Sequence, residues 1–165
     1  MKRFFKFELF IALCAVVFLD RLTKFLVLSS LQDKGSVAII PGIFHLTFTV
    51  NSGAAFSILS GKNTFLIFLS LMVIIFIIYS YFKLKPTRIT SVGVGLILGG
   101  AISNLLDRFL FSGIVDFIDF RVFPVFNIAD SGISIGVIML IAYYAWEDFV
   151  KKKVRRLKKK SVNHP

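Results

Sequence analysis

Apolar residues gather into four runs along the chain, set apart by two long polar-to-mixed segments and one short basic break. A hydrocarbon core of roughly 30 Å takes about 20 helical residues, each rising about 1.5 Å. FLIFLSLMVIIFIIYSYF satisfies this without a charge and predicts a span at about 64–82. The next span, about 89–108, carries Gly93, Gly95, Gly99, Gly100, Ala101 and Ser103, a small-residue face that lets another backbone approach closely and places it at the centre of a bundle. A further span at about 130–147 starts with Asp130 or Ser131 as its cap and ends near Trp146 at the inner interface. The first run is unusual. Its uncharged part, Leu9 to Leu19, is eleven residues, so a crossing at about 9–28 must continue through DRLTK at 20–24.

Two outer segments, 29–62 and 110–128, separate these spans. VAIIPGIFHLTFTV, rich in β-branched and aromatic residues around a Pro-Gly turn signal, predicts a pair of short strands. NSGAAF at 51–56 then returns the chain to the membrane, its small residues suiting either a tight turn or close backbone approach to a ligand. The predicted fold is a membrane all-α bundle of four transmembrane helices with a small β-rich extracytoplasmic segment, one domain over 1–165.

Composition agrees: the chain is 56% hydrophobic, well above the roughly 45–50% of soluble domains. Charge adds topology. Of the 20 basic residues, 14 lie before the first run, in the break at 83–88, or in the tail at 149–165. The positive-inside rule makes those three segments, and hence both termini, cytoplasmic. A basic tail directly after a membrane helix suits anionic lipid head groups better than nucleic acid, which is not expected as a partner. The basic, apolar N-terminus has the look of a signal peptide, but no small-x-small cleavage site follows, and Leu13 before Cys14 does not suit lipoprotein processing. The run is expected to be a retained helix, with Cys14, the sole cysteine, as a packing residue.

On this topology Asp20, Lys24, Asn51, Asn104, Asp107, Arg108, Asp116, Asp119, Arg121, Asn127 and Asp130 all fall on the outer side. Any one pair, such as Asp20 with Lys24 four residues on, reads equally well as a plain salt bridge. A cluster drawn from three spans is different, because ionisable groups at membrane depth are costly and tend to mark function. The chain has no HExxH, no GxSxG, and neither histidine (His45, His164) accompanies a nucleophile, so metalloprotease and serine or cysteine chemistry are not expected, nor is any cofactor. Carboxylates remain. Two aspartates sharing a site cannot both ionise cheaply; one keeps a proton while the other draws a proton from water, which suffices for peptide hydrolysis.

DRLTK at 20–24, NSGAAF at 51–56, GGAISNLLDR at 99–108, GIVDF at 113–117 and FNIAD at 126–130 resemble, in order, the motifs of lipoprotein signal peptidase, the bacterial membrane aspartyl protease also called signal peptidase II. The resemblance spans nearly the whole chain. It implies removal of a prolipoprotein's signal peptide just before the diacylglyceryl-modified cysteine, in the bacterial cytoplasmic membrane, with the active site on the outer side. It makes Asp116 and Asp130 the catalytic pair, with Asp20, Lys24, Asn51, Gly53, Asn104, Arg108, Asn127 and Ala129 around the substrate. Lipidated prolipoproteins and membrane lipids are the expected partners, and a monomer the expected state. The family pattern leads one to expect glycine at Ser103, often threonine at Ser52, and a longer outer loop than the thirteen residues between Asp116 and Asp130. Asp119 reads as a structural partner of Arg121 or Arg108, and Asp107 as a group orienting Arg108. The rival readings are a small proton- or ion-coupled transporter using the same carboxylates, and a non-catalytic membrane scaffold.

Overall fold

The computed structural model describes residues 2–53, 59, 61–83 and 86–162, with side chains described between 7 and 155. Ala54, Ala55 and Phe56 of NSGAAF, Lys85 of the basic break, and His164 lie outside those residues. In chain order the elements are α1 (Lys2–Leu31), β1 (Ser36–Ile40), β2 (Phe44–Asn51), α2 (Asn63–Lys83), α3 (Arg88–Phe111), β3 (Ile114–Asp119) and α4 (Ile128–Val162).

Three helices, α2, α3 and α4 as far as Arg155, are long and apolar enough to cross a membrane. α1 is 30 residues long, about 45 Å, but carries Asp20, Arg21 and Lys24 in its second half. The distribution of burial is inverted relative to a water-soluble domain. Asp20, Lys24, Asn104, Asp107, Arg108, Asp116 and Asn127 are buried, while Phe10, Phe18, Phe25, Phe68, Phe76 and Ile138 are exposed. That is the arrangement expected where the surroundings are lipid and ionisable groups turn inward.

α3 packs against each of the other helices, as its small-residue face predicts. At Gly100 a Cβ would run into the Ala129 carbonyl and sit 2.7 Å from Ile133 Cγ1, so only glycine lets α3 and α4 meet at this depth. Thr87 opens α3 through a reciprocal capping box with Thr90, and Ser112, at φ 56°, closes it.

The strand pair predicted from VAIIPGIFHLTFTV is present as antiparallel β1 and β2. A third strand joins it: β3 pairs antiparallel with β2, placing Thr49 opposite Asp116 and Asn51 opposite Ile114. Gly113 enters that strand against β2, where a Cβ would lie 2.9 Å from the Asn51 carbonyl. Phe117 docks the sheet on Val27 and Leu31 at the C-terminal end of α1, with Leu46, Phe48 and Ile128 around them.

Two helix boundaries and one side chain depart from the sequence reading. α4 begins at Ile128, so its cap is neither Asp130 nor Ser131, and it runs past Trp146 to Val162. Basic residues after Trp146 do not break a helix; Lys151 and Lys152 pair with Glu147 and Asp148 one turn earlier and support it. Cys14 is exposed on α1 and takes no part in internal packing.

Candidate active site

The central side chain of the site comes from β3. In IVDFID the strand buries Val115 and Phe117 on one side and directs Asp116, itself only 3% exposed, to the other. Asp130 arrives from the first turn of α4. Asn127 caps that helix: its side-chain carbonyl accepts the Asp130 N–H at 2.8 Å, and the Asp130 carboxylate accepts the Asn127 N–H at 3.4 Å. Capping thus fixes where the Asp130 carboxylate stands.

Two asparagine amides tie these carboxylates together. Asn127 Nδ2 donates to Asp116 Oδ1 at 2.7 Å and to Asn104 Oδ1 at 3.1 Å. Asn104 Nδ2 donates to Asp130 Oδ1 at 2.8 Å. Each carboxylate therefore has one oxygen held by a short bond from an asparagine amide, with a further, weaker tie from the Asn127 N–H on Asp130 and from Asn51 on Asp116. Burial, and then the charge of Asp130, push Asp116 up to about 7, against the opposing pull of Lys24 and the hydrogen bonds from Asn127 and Asn51. A carboxyl poised there exchanges its proton around neutral pH.

Asp116 and Asp130 line one cleft of about 740 Å³ together with Asn51, Gly53 and Arg108. One wall is the segment from Phe123 to Phe126, and another is Ser131, Ser134 and Ile135 of α4. The walls are mostly apolar and the polar groups few, as in sites that bind extended or lipidic ligands. Arg108 Nη2 donates to the Gly53 carbonyl at 2.7 Å, while its buried Nη1 has no hydrogen-bond partner among the described residues. Asn51 Oδ1 accepts the Gly53 N–H at 3.0 Å. The cleft thus offers an oriented backbone at 51–53 and a spare guanidinium N–H beside two carboxylates.

Asp20, Lys24, Asn104, Asn127 and Ala129 stand behind the cleft rather than on its walls. Asp20 and Lys24 do pair, at 2.7 Å, but within a larger cluster. Lys24 also reaches Asp107 at 2.6 Å, and Arg21 bridges Asp20 and Asp107 from the rim. Ser103 Oγ donates to Asp20 Oδ2 at 2.6 Å, so the hydroxyl that departs from the expected glycine has a partner here.

Asp107 does not orient Arg108. Its oxygens take Arg21, Lys24 and the Val115 N–H, because neighbouring helix residues point about 100° apart and Asp107 faces α1 while Arg108 faces the cleft. Asp119 pairs with Arg121, at 3.1 Å, and not with Arg108. Burial disfavours its charge, but hydrogen bonds from Thr47 and Arg121 outweigh that and hold the Asp119 carboxyl below the usual range. Arg21 was given no role in the sequence reading, and Ser103 and Asp107 were given other ones, although Ser103, Asn104 and Asp107 sit about one turn apart on a face that meets DRLTK.

Residues 12–146 match the family model described as signal peptidase (SPase) II. Curated relatives named lipoprotein signal peptidase include one from Halothermothrix orenii, 42% identical over 134 residues that cover 81% of this chain and 92% of the relative. Another, from Caldanaerobacter subterraneus subsp. tengcongensis, is 48% identical over 126 residues, 76% of this chain and 87% of the relative. A bacterial membrane enzyme solved by the in meso method at 2.3 Å is similar over 84% of this chain and 87% of its own, with a TM-score of 0.75 and 34% identity.

Proposed function

The chain belongs to the signal peptidase II family and is a bacterial membrane peptidase acting on prolipoprotein signal peptides; from that premise we propose that Asp116 and Asp130 form its catalytic pair and cleave just before the diacylglyceryl-modified cysteine. The observation that carries the reading is convergence: two carboxylates from β3 and α4 open into one cleft, with Asp116 pushed up to about 7. Sharing one proton, the pair has a base and an acid at once. One carboxylate takes a proton from water as the oxygen attacks the scissile carbonyl. The other donates its hydrogen bond to that carbonyl, and the proton gained from water passes to the departing cysteine amine. The two titrate as a unit.

Asn51, Gly53 and Arg108 act on the substrate side of this scheme. The spare Arg108 N–H meets a peptide carbonyl, and the Asn51–Gly53 backbone meets the extended chain. Asn104, Asn127, Asp20, Lys24 and Ala129 serve by holding the aspartates in place. No step calls for a cofactor or metal ion.

The protein crosses the membrane four times as one domain, α1 supplying the first crossing. Both termini are cytoplasmic, the sheet and cleft are on the outer side, and the protein works as a monomer. The basic tail meets anionic lipid and not nucleic acid. The diacylglyceryl tails stay in the hydrocarbon along Ser131, Ser134 and Ile135, fixing the depth of the scissile bond. A coupled transporter would need polar groups through both leaflets. Among described residues the inner half offers the Glu8–Arg88 ion pair and the Tyr81–Ser91 hydrogen bond, and the small cavity there is lined largely by apolar side chains.

The test is cleavage of one precursor with and without its diacylglyceryl group by the purified protein in bilayers of fixed composition. Cleavage of the lipidated form before its cysteine, lost in Asp116→Asn and Asp130→Asn, is expected. Equal rates for both forms would reject the depth-fixing role, and ion flux without cleavage would favour the transporter.

A further inference from the structure

Asp116 and Asp130 come from different elements, yet the residue before each is held in the same way. The Val115 N–H donates to Asp107 Oδ2 at 3.0 Å, and the Ala129 N–H donates to Asp20 Oδ1 at 2.9 Å. Between those two buried carboxylates lies one ammonium. Lys24 Nζ is 2.7 Å from Asp20, 2.6 Å from Asp107 and 3.3 Å from Asn104 Oδ1. All three ammonium protons are thus used, and the third partner, Asn104, is itself bonded to Asp130.

The geometry assigns Lys24 as a positioning residue: through Asp20 and Asp107 it ties the backbone before Asp130 to the backbone before Asp116, and so sets the spacing of the two carboxylates. The inference rests on the reading of Asp116 and Asp130 as the catalytic pair and adds to it residues, Asp107 among them, that do not touch the cleft.

Three features argue for spacing over simple charge burial. Lys24 is 2% exposed and Asp20 and Asp107 are fully buried, so the ties act without competition from water. The cluster is electrically closed, with Lys24 and Arg21 against Asp20 and Asp107. Arg21, partly exposed at the rim, bridges the same two carboxylates, so they remain paired when Lys24 is replaced while the inner tie to Asn104 is lost. The charged groups facing the pair are Lys24 and Asp20 from α1 and Arg108 from α3, and Lys24 favours the ionised form of Asp116.

The test is steady-state cleavage of a lipidated precursor by full-length Lys24→Met, Lys24→Arg and Asp107→Asn in bilayers, with Asp116→Asn and Asp130→Asn alongside. Lys24→Met should lower kcat about a hundredfold or more with KM within about threefold, since misplacement by about 1 Å is enough for such a loss. Its pH–rate profile should move to higher pH, because a cation favouring the ionised pair is gone. Lys24→Arg should lower kcat about tenfold or more with the profile unmoved, since a planar guanidinium keeps the charge but cannot set one atom among three acceptors. Where Lys24→Met fails to fold, Lys24→Arg and Asp107→Asn decide by the same split of kcat from KM. Wild-type kcat in the folded Lys24 variants, or a loss confined to KM, while Asp116→Asn and Asp130→Asn are inactive, would overturn the spacing role. Activity in Asp116→Asn or Asp130→Asn would instead overturn the catalytic reading beneath it.

Discussion

Asn127 and Asp130 cap one another: the asparagine side chain takes the Asp130 N–H, and the aspartate carboxylate takes the Asn127 N–H. The same Asn127 donates its amide to Asp116, so one residue starts α4 and joins the two carboxylates. Asn127→Asp and Asn127→Ala separate these duties. Asn127→Asp keeps an acceptor for the helix end but sets a third carboxylate in a buried site, so its stability should approach wild type only at low pH and fall below it at neutral pH, whereas Asn127→Ala should lose about 1 kcal/mol at either pH. Both should lose cleavage by about a hundredfold or more, the first because a third carboxylate replaces the donor to Asp116. Thermal unfolding and cleavage rates on the same samples provide the check.

Asp116→Asn and Asp130→Asn should each leave an inserted protein with cleavage reduced by about a thousandfold or more. Asp119→Asn should keep activity within about tenfold, since Asp119 is tied to Thr47 and Arg121 and is not on the cleft walls. A near wild-type rate in either of the first two would remove the pair from the mechanism.

Cleavage should fall as pH rises past about 7, when the shared proton leaves Asp116. Stability carries the same sign. The native carboxyl holds its proton up to about 7 and the unfolded one only to about 3.8, so the native state binds more protons between those values and loses stability as pH rises through them. Asp116→Asn, which cannot ionise, should therefore be more stable than wild type at pH 8, by on the order of 4 kcal/mol, and show little advantage at pH 4. Thermal melts of both proteins at the two values test this; an equal difference at both would contradict it.

Cysteines placed at the exposed positions Ser36 and Ser112 in a Cys14→Ser background should react with an impermeant label from outside the cell, and one at exposed Lys153 should not. The reverse pattern would put the cleft on the wrong side for an exported precursor.

The helices and the first strand pair were legible because apolar run length and β-branched patterning are local signals. β3 was not. IVDFID becomes a strand only by pairing with β2, as in Thr49 opposite Asp116, and nothing within the segment announces that distant partner. The residues that gather at the cleft and behind it were legible through their motifs, but their layering was not. Whether Lys24 lines a cleft or stands behind it depends on how α1 rotates against α3, and the close approach at Gly95 and Gly99 sets that rotation. Asp107 was assigned to its sequence neighbour Arg108 when its ion-pair partners lie on α1, up to 86 residues away. The far end of α4 was cut at Trp146 because an interface residue marks a membrane boundary, which need not be a helix boundary.

The buried cluster also has a history in biosynthesis. α1 leaves the ribosome with Asp20, Arg21 and Lys24 already in it, one positive charge in excess, and Asp107 follows only when α3 has been made. On the proposed topology, in which α1 crosses the membrane, each ionised group near the bilayer centre costs until then about 2.5–3.5 kcal/mol on an insertion scale, less toward the head groups, where that topology puts these residues. The growing chain therefore holds α1 weakly, with its charged turn drawn to the interface. Arrival of α3 supplies the missing carboxylate and fixes it. A nascent chain ended before Arg88 should slip back readily, while one extended past Phe111 should stay, so the membrane anchor of the first helix is a gift of the third.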